Sequence, residues 1–454
     1  TLSVALFRIG APPVYALPGH RRAELEHLCR MTQARALVVV DRVPGFDFRE
    51  LALELARTIG TLEHVLVAGD PGDGRALADV DDEPVTIAPP DPQDVAFFLL
   101  SGGTTGPPKL IPRTHDDYAY QLRCSAAVVG ASERSVYLAA LPIAHNAALG
   151  CPGVLGVLRL GGRVVMAASP SPDEIFELVR REAPTLTTAM PTFLLLWSDA
   201  ADAFGADLSG LLVEVGGARL DPALAVRAQE RLRCTLTHWF GMAEGVLWCT
   251  RPGDPIELAA RTQGRPICPA DEQRIVDEDD RDVAPGEEGE LLVRGPMTLR
   301  GYYDEPEYNR RAFTSDGYLR TGDLVRLAPG GELVVTGRIK DVINRGGEKV
   351  AAGALEEHLR THPAVRDAAA VAVPDAVFGE RTCALLVVDG DALTLADVRA
   401  HVAGRGVAAF MLPDVVQIVP ALPLTSLGKV DKKALRARLA PGADAGRAPV
   451  SLRA

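Results

Sequence analysis

Phe97-Phe98-Leu99-Leu100-Ser101-Gly102-Gly103-Thr104-Thr105-Gly106-Pro107-Pro108-Lys109 is the stretch on which the reading of this sequence turns. An apolar run leads straight into three glycines, three hydroxyl side chains and one lysine. Glycine lets backbone N–H groups turn toward an anion unobstructed, the hydroxyls add donors, and the lysine adds charge. That chemistry suits a polyphosphate. It is not the Walker arrangement, in which Gly-Lys is followed by Ser or Thr on an opening helix; here Pro107 and Pro108 separate Gly106 from Lys109, and Leu110 follows. A plain surface turn is the alternative that composition alone leaves open.

Working outward, apolar β-rich runs at 36–40, 95–100, 136–141, 164–167, 186–189 and 211–215 alternate with helical patterns such as 173–182 and 222–233. Nearly unbroken apolar strands alternating with helices predict parallel-type sheets covered on both faces. After residue 270 the texture changes. Runs at 274–276 and 290–293 flank a Pro-Gly-acidic turn and predict an antiparallel hairpin, with a further strand at 333–336, forming a β-subdomain with the character of a distorted barrel. Beyond 337–340, helix patterns at 352–360, 395–403 and 432–439 alternate with strands at 368–373, 383–388 and 415–419. The expected α/β architecture is therefore a large N-terminal domain (1–337) and a smaller C-terminal α+β domain (341–440) joined by a hinge, then a disordered tail (441–454). Leu2 to Phe7 reads like the middle of a helix rather than its capped start, which suggests a chain cut short or unusually short at its N-terminus.

Composition narrows the function. Hydrophobic residues make up 47% of the 454 and charged residues 24%, a globular balance. The net charge of −12 argues against non-specific nucleic-acid or anionic-membrane binding. Seven cysteines without a CxxC argue against a zinc site or disulfide framework and favour a reducing cytoplasm. No run approaches the ~18 apolar residues of a membrane span, and no secretory signal pattern is present.

The glycine-rich segment resembles the phosphate loop of the adenylate-forming superfamily: acyl-CoA synthetases, luciferases and peptide-synthetase adenylation domains. Four further signatures of that superfamily follow in order. They are Phe240-Gly241-Met242-Ala243-Glu244-Gly245 (adenine and magnesium), Tyr318-Leu319-Arg320-Thr321-Gly322-Asp323 (ribose), Gly337-Arg338-Ile339-Lys340-Asp341 (hinge) and Pro423-Leu424-Thr425-Ser426-Leu427-Gly428-Lys429 (catalytic lysine). Arg113-Thr114-His115, Ala144-His145-Asn146 and residues 344–352 resemble more narrowly the stand-alone 2,3-dihydroxybenzoate and salicylate AMP ligases.

The resemblance implies the following roles. Ser101, Gly102, Gly103, Thr104, Thr105, Gly106 and Lys109 would hold the β- and γ-phosphates of ATP, and Glu244 would hold Mg²⁺. Phe240, Gly241, Met242, Gly217 and Ala218 would surround the adenine, Asp323 would accept from the ribose hydroxyls, and Arg338 would reach the ribose or α-phosphate. Lys429 would bridge carboxylate and phosphate, and Lys340 would sit at the hinge for a second half-reaction with the phosphopantetheine thiol of an aryl or peptidyl carrier protein.

For the aryl acid itself the resemblance points to His145, Asn146, Ala147, Cys151, Gly216, Trp239 and Leu247. An amide both donates and accepts, so Asn146 suits an ortho hydroxyl or an ortho amino group; helix capping is its alternative role. Ala147 replaces a usual aromatic, Cys151 matches the salicylate-using members, and Trp239 replaces a small aliphatic residue. The rearranged space suggests a substituted 2-amino- or 2-hydroxybenzoate, with a 3-hydroxy-4-methylanthranilate-type acid as one candidate. An aryl-CoA ligase and a catalytically silent nucleotide-binding regulator are the competing readings. Retention of Lys109, Glu244, Asp323, Arg338 and Lys429 weighs against the second.

Overall fold

Apolar strands with no polar face need cover on both sides, and the central sheet of this protein has it. The computed structural model describes residues 1–43, 45–81, 86–101, 108–218, 220–345, 348–375, 379–390, 393–425 and 428–439. Residues 102–107 of the glycine-rich segment and the expected tail at 441–454 lie outside these. The central sheet has seven strands. Arg163–Met166, Val136–Ala139, Leu186–Ala189, Leu212–Gly216 and Thr235–Met242 run parallel in that order, and Val246–Cys249 and Arg265–Pro266 follow antiparallel. One face packs on Ile175, Phe176 and Trp197 from the helices Pro172–Glu182 and Pro191–Phe204. The other packs on Val157 of the helix Gly153–Arg159 and Val129 of the helix His115–Val129.

The strand Val95–Leu100 departs from the expectation. It pairs antiparallel with Leu110–Thr114 rather than joining a parallel sheet. Only nine residues, 101–109, separate the two strands, whereas a parallel return needs about a dozen or more. The glycine-rich segment therefore connects two antiparallel strands. Its two ends are tied together, Ser101 N–H donating to the Lys109 carbonyl (2.9 Å) and Lys109 N–H to Ser101 Oγ (3.0 Å).

Residues 272–338 form an open four-stranded antiparallel sheet ordered Glu272–Val276, Gly289–Arg294, Leu319–Leu327 and Leu333–Arg338; it does not close into the barrel suggested by sequence. In the C-terminal part, Val365–Asp375 and Gly379–Val388 make a long antiparallel pair, with Val415–Ile418 parallel to the latter. The helices Ala352–Arg360, Leu395–Ala403 and Lys432–Leu439 cover it, and their packing divides between its two faces. All seven cysteines are unpaired. Among the described residues no helix is long and apolar enough to cross a membrane.

One buried cation joins these layers. Arg113, at the end of the hairpin, is fully buried. It donates to Asp117 Oδ1 (3.0 Å), Gln121 Oε1 (3.1 Å), the Ala243 carbonyl (2.8 Å) and the Met297 carbonyl (3.0 Å). Thr114 and Asp117 cap each other's backbone N–H and start the helix His115–Val129 immediately after the strand. That start places Asp117 and Gln121 four residues apart on the face that meets Arg113. Removing the guanidinium would strand a buried carboxylate and two carbonyls, a loss of about 3–5 kcal/mol. Urea unfolding of Arg113→Met should show a loss of that order; a change of under about 1 kcal/mol would contradict the assigned role.

Candidate active site

Antiparallel pairing of Leu319–Leu327 with Leu333–Arg338 sets Asp323 directly opposite Arg338. Arg338 Nε donates to Asp323 Oδ1 at 2.7 Å. The other oxygen, Oδ2, is buried with no partner among the described residues. Burial raises the Asp323 carboxyl, and the charges of Arg338, Lys340 and Lys429 pull it back. That oxygen keeps its acceptor lone pairs unused by any described residue.

Lys429, from the C-terminal part, lies within electrostatic range of this carboxylate. Its loop is closed by Thr425, whose N–H donates to the Lys429 carbonyl (2.7 Å) and whose Oγ1 accepts from Lys429 N–H (3.2 Å). Lys429 Cε comes within 3.9 Å of where a Cβ on Gly217 would lie, so the lysine side chain sits against the Gly216-Gly217 turn that follows the Leu212–Gly216 strand. Burial, then the positive charge of Arg338, push the ammonium down to about 8, against the pull of Asp323. Burial, then the charge of the same lysine, push His145 down to about 4. Lys340, in the short 3₁₀ turn Ile339–Asp341, is lowered by burial and by Arg338.

Glu244 follows the strand Thr235–Met242, where the chain turns back into Val246–Cys249. Its backbone carbonyl accepts from Leu299 N–H (2.8 Å), and its buried Oε1 accepts from the Tyr302 hydroxyl (2.9 Å). Burial raises the carboxyl, while Tyr302, Arg338 and Arg113 lower it. Tyr302 stands edge-on to Tyr308 at 5.0 Å between ring centres, and Lys109 Nζ lies 4.2 Å from the Tyr308 ring centre. Two tyrosines thus link the lysine at the end of the glycine-rich hairpin to the carboxylate. Neither tyrosine carries a sequence signal, because each stands outside any motif. Among the described residues no group of three or more His, Cys, Asp or Glu could hold a metal. A single buried carboxylate fits Mg²⁺ that takes its remaining ligands from phosphate and water.

On the far side of the Gly216-Gly217 turn lies an apolar cluster containing Cys151, Trp239, Leu247, Cys249 and Met297. Gly216 pairs with Trp239 in register, and a Cβ there would lie 2.7 Å from the Trp239 carbonyl oxygen, so only glycine permits this approach. Ala218 packs with Leu141, Ala148 and Met190, which brings the turn against the helix Asn146–Gly150. His145, not Asn146, caps that helix, accepting from Ala147 N–H (3.3 Å). Asn146 is instead buried, bonded to Tyr118 and Gln121. Both partners escaped the sequence reading because the buried stripe of the helix His115–Val129 is polar; the Thr114–Asp117 capping pair was the signal that could have found it. Glu214, two residues before Gly216 on the same sheet face, is a further omission. It accepts from Thr188 Oγ1 (2.9 Å), its Oε1 has no partner among the described residues, and burial raises it well above the carboxylate range.

The candidate residues therefore converge. Asp323, Arg338, Lys429, Gly217 and His145 form one group, with Glu244 coupled to it through Arg338, and Asn146, Cys151, Gly216, Trp239 and Leu247 adjoin the turn from the other side. Phe240, Gly241 and Met242 lie on the intervening strand, Phe240 packing 6.3 Å from Trp248. Residues 102–106 lie outside the described residues.

Comparison with known proteins agrees in extent. Residues 1–303 match the family described as AMP-binding enzyme, and 354–429 match its C-terminal domain. The chain is 53% identical to triostin synthetase I of Streptomyces triostinicus, over 96% of this chain and 82% of that protein. It is 50% identical to the 2,3-dihydroxybenzoate-AMP ligase of Bacillus subtilis (strain 168), over 95% and 80%. The solved apo structure of Mycobacterium smegmatis MbtA superposes with a TM-score of 0.71 at 47% identity, over 96% and 82%.

The displacement of Lys429 is directly measurable. Reductive methylation of the free protein, read by mass spectrometry of the Lys429 peptide, should reach half its maximal rate near pH 8. An ordinary lysine would do so near roughly pH 10.4, and that profile at Lys429 would contradict the packing described.

Proposed function

The chain belongs to the AMP-binding enzyme family, as an aryl-acid AMP ligase, and we propose how its residues divide the reaction. A carboxylate must approach a polyanionic triphosphate, so the site has to neutralise charge and align one oxygen with the α-phosphorus. The observation that carries the reading is the placement of Lys429 against the Gly216-Gly217 turn, within electrostatic range of Asp323 and Arg338, which joins the C-terminal part to the nucleotide side of the core.

In this reading the carboxylate oxygen attacks the α-phosphorus and pyrophosphate leaves. Asp323 accepts from the ribose hydroxyls with the oxygen that Arg338 leaves free. Lys429 lies between carboxylate and α-phosphate, and its charged form neutralises the developing negative charge. Lys109, with Ser101 at the other end of the hairpin, receives the departing phosphates, and the segment 102–106 completes that cradle. Phe240, Gly241, Met242, Gly217 and Ala218 enclose the adenine. Glu244 would hold Mg²⁺, which supplies charge neutralisation for the pyrophosphate leaving group; Tyr302 orients that carboxylate. His145, kept neutral at pH 7, adds no further positive charge beside Lys429. Asn146, Ala147, Cys151, Gly216, Trp239 and Leu247 form the aryl pocket.

The second half-reaction transfers the acyl group to the phosphopantetheine thiol of a carrier protein: the thiol attacks the acyl carbon and AMP leaves. Lys340, between units 1–337 and 341–440, is the hinge for the rotation that moves Lys429 out. Seven unpaired cysteines suit a reducing cytoplasm.

Pyrophosphate exchange with an aryl-acid panel tests the reading, and its absence with every aryl acid would overturn it. Lys429→Ala should lower exchange by about 10²–10³-fold, while thioester formation from supplied aryl-adenylate persists; normal exchange in this variant would remove Lys429 from the site. Glu244→Gln should raise the Mg²⁺ concentration needed for half-maximal exchange, and an unchanged requirement would place the metal elsewhere.

A further inference from the structure

We propose that Arg113 and Gln121 are positioning residues that lock Asn146 as a hydrogen-bond donor toward the ring, so that the enzyme selects acids with an acceptor ortho to the carboxyl, a phenolic oxygen or a ring nitrogen, over their 2-amino counterparts. The inference rests on the aryl-acid reading and deepens it.

The lock begins with a group that has no choice. A guanidinium only donates, so Gln121 must turn Oε1 toward Arg113 Nη1, 3.1 Å away. Gln121 Nε2 then points the other way, donating to the Gly150 carbonyl (2.9 Å) and to Asn146 Oδ1 (3.3 Å). The Tyr118 hydroxyl, 2.9 Å from the same oxygen, is its second donor. Both lone pairs of Asn146 Oδ1 are thereby occupied. Tyr118 has no room to leave, because Gly150 packs so closely on its hydroxyl that a Cβ there would collide with it. Asn146 Nδ2 lies 3.7 Å from Cys151 Sγ, which Gln121 Nε2 also approaches at 3.8 Å. Sulfur is a weak acceptor and an amide nitrogen carries two hydrogens, so at least one N–H remains to be satisfied at the aryl cluster.

Turning Asn146 over would set its NH₂ against that of Gln121, two buried donors facing each other, with only the Tyr118 hydroxyl left to accept from Asn146. Turning Gln121 as well is blocked, since Arg113 is itself held by Asp117 and by the Ala243 and Met297 carbonyls. An ortho hydroxyl donates internally to the carboxylate and keeps a lone pair for Asn146. An ortho amino group brings N–H donors to a residue whose acceptor is already used. Under this proposal the choice left open by sequence falls against the 2-amino acids, the 3-hydroxy-4-methylanthranilate type included.

The test is pyrophosphate exchange with 2-hydroxybenzoate and 2-aminobenzoate, nearly equal in size, on the wild type and two variants. The wild type should favour the hydroxy acid at least tenfold in kcat/KM. In Gln121→Glu one carboxylate oxygen still faces Arg113, while the other accepts from Asn146 Nδ2 and turns Oδ1 toward the ring. The ratio should fall at least tenfold, with the KM for ATP unchanged. Gln121→Leu, which removes the lock without adding a charge, should bring the ratio toward one and decides the matter if the glutamate variant does not fold. Equal use of both acids by the wild type, or an unchanged ratio in the variants, overturns the lock alone. No exchange with any aryl acid overturns the aryl-acid reading and this inference with it.

Discussion

The guanidinium of Arg113 sits where the glycine-rich hairpin, the helix His115–Val129, the turn before Glu244 and the segment at Met297 meet. Two of its acceptors are backbone carbonyls, from elements more than a hundred residues away in sequence. Because a buried charge is tolerated only when its hydrogen bonds are made, these elements have little freedom to shift independently. One end of this arrangement fixes Ala243, and with it Glu244; the other fixes Gln121, and with it Asn146. The Glu244 carboxylate and the Asn146 amide are thus referred to the same point.

Around that point the fold keeps groups in states that folding alone would not choose. Asp323 has a buried oxygen without a partner, Lys429 is driven down to about 8, and Glu244 is a carboxyl raised by burial. Each is costly in a free protein and, in the proposed reading, would be relieved by a ligand of matching chemistry: ribose hydroxyls, a phosphate or carboxylate anion, a divalent cation. Their coincidence in one group, coupled through Arg338, separates a reaction centre from a collection of surface charges. It also weighs against a silent nucleotide-binding regulator, which has no use for a lysine set against the Gly216-Gly217 turn.

Much of this was legible in sequence for identifiable reasons. The helices at 352–360, 395–403 and 432–439 agree with their apolar spacing residue for residue. The parallel core follows from strands too apolar to expose a face. Pairing direction was not legible: the run at 95–100 looks like any buried strand, and only the short return to Leu110 makes it half of a hairpin. In the site, the resemblance of their surrounding motifs to those of the adenylate-forming superfamily marked Asp323, Arg338 and Lys429. Tyr302, Tyr308, Tyr118 and Gln121 act through contacts made only after folding, and a polar stripe that is buried looks, in sequence, like one that is exposed. The cap at His145 rather than Asn146 is the clearest case: both side chains can cap a helix, and only burial among Tyr118 and Gln121 reassigns the second.

The central claim is that a carboxylate oxygen of an aryl acid bonds to the α-phosphorus within this cluster. Isotope transfer tests it most directly. With an acid labelled with ¹⁸O in both carboxyl oxygens, and with a thiol acceptor present, attack on phosphorus followed by cleavage of the acyl C–O bond leaves one labelled oxygen in each AMP released. AMP carrying that single label is the predicted product; unlabelled AMP, or ADP in its place, would contradict the account.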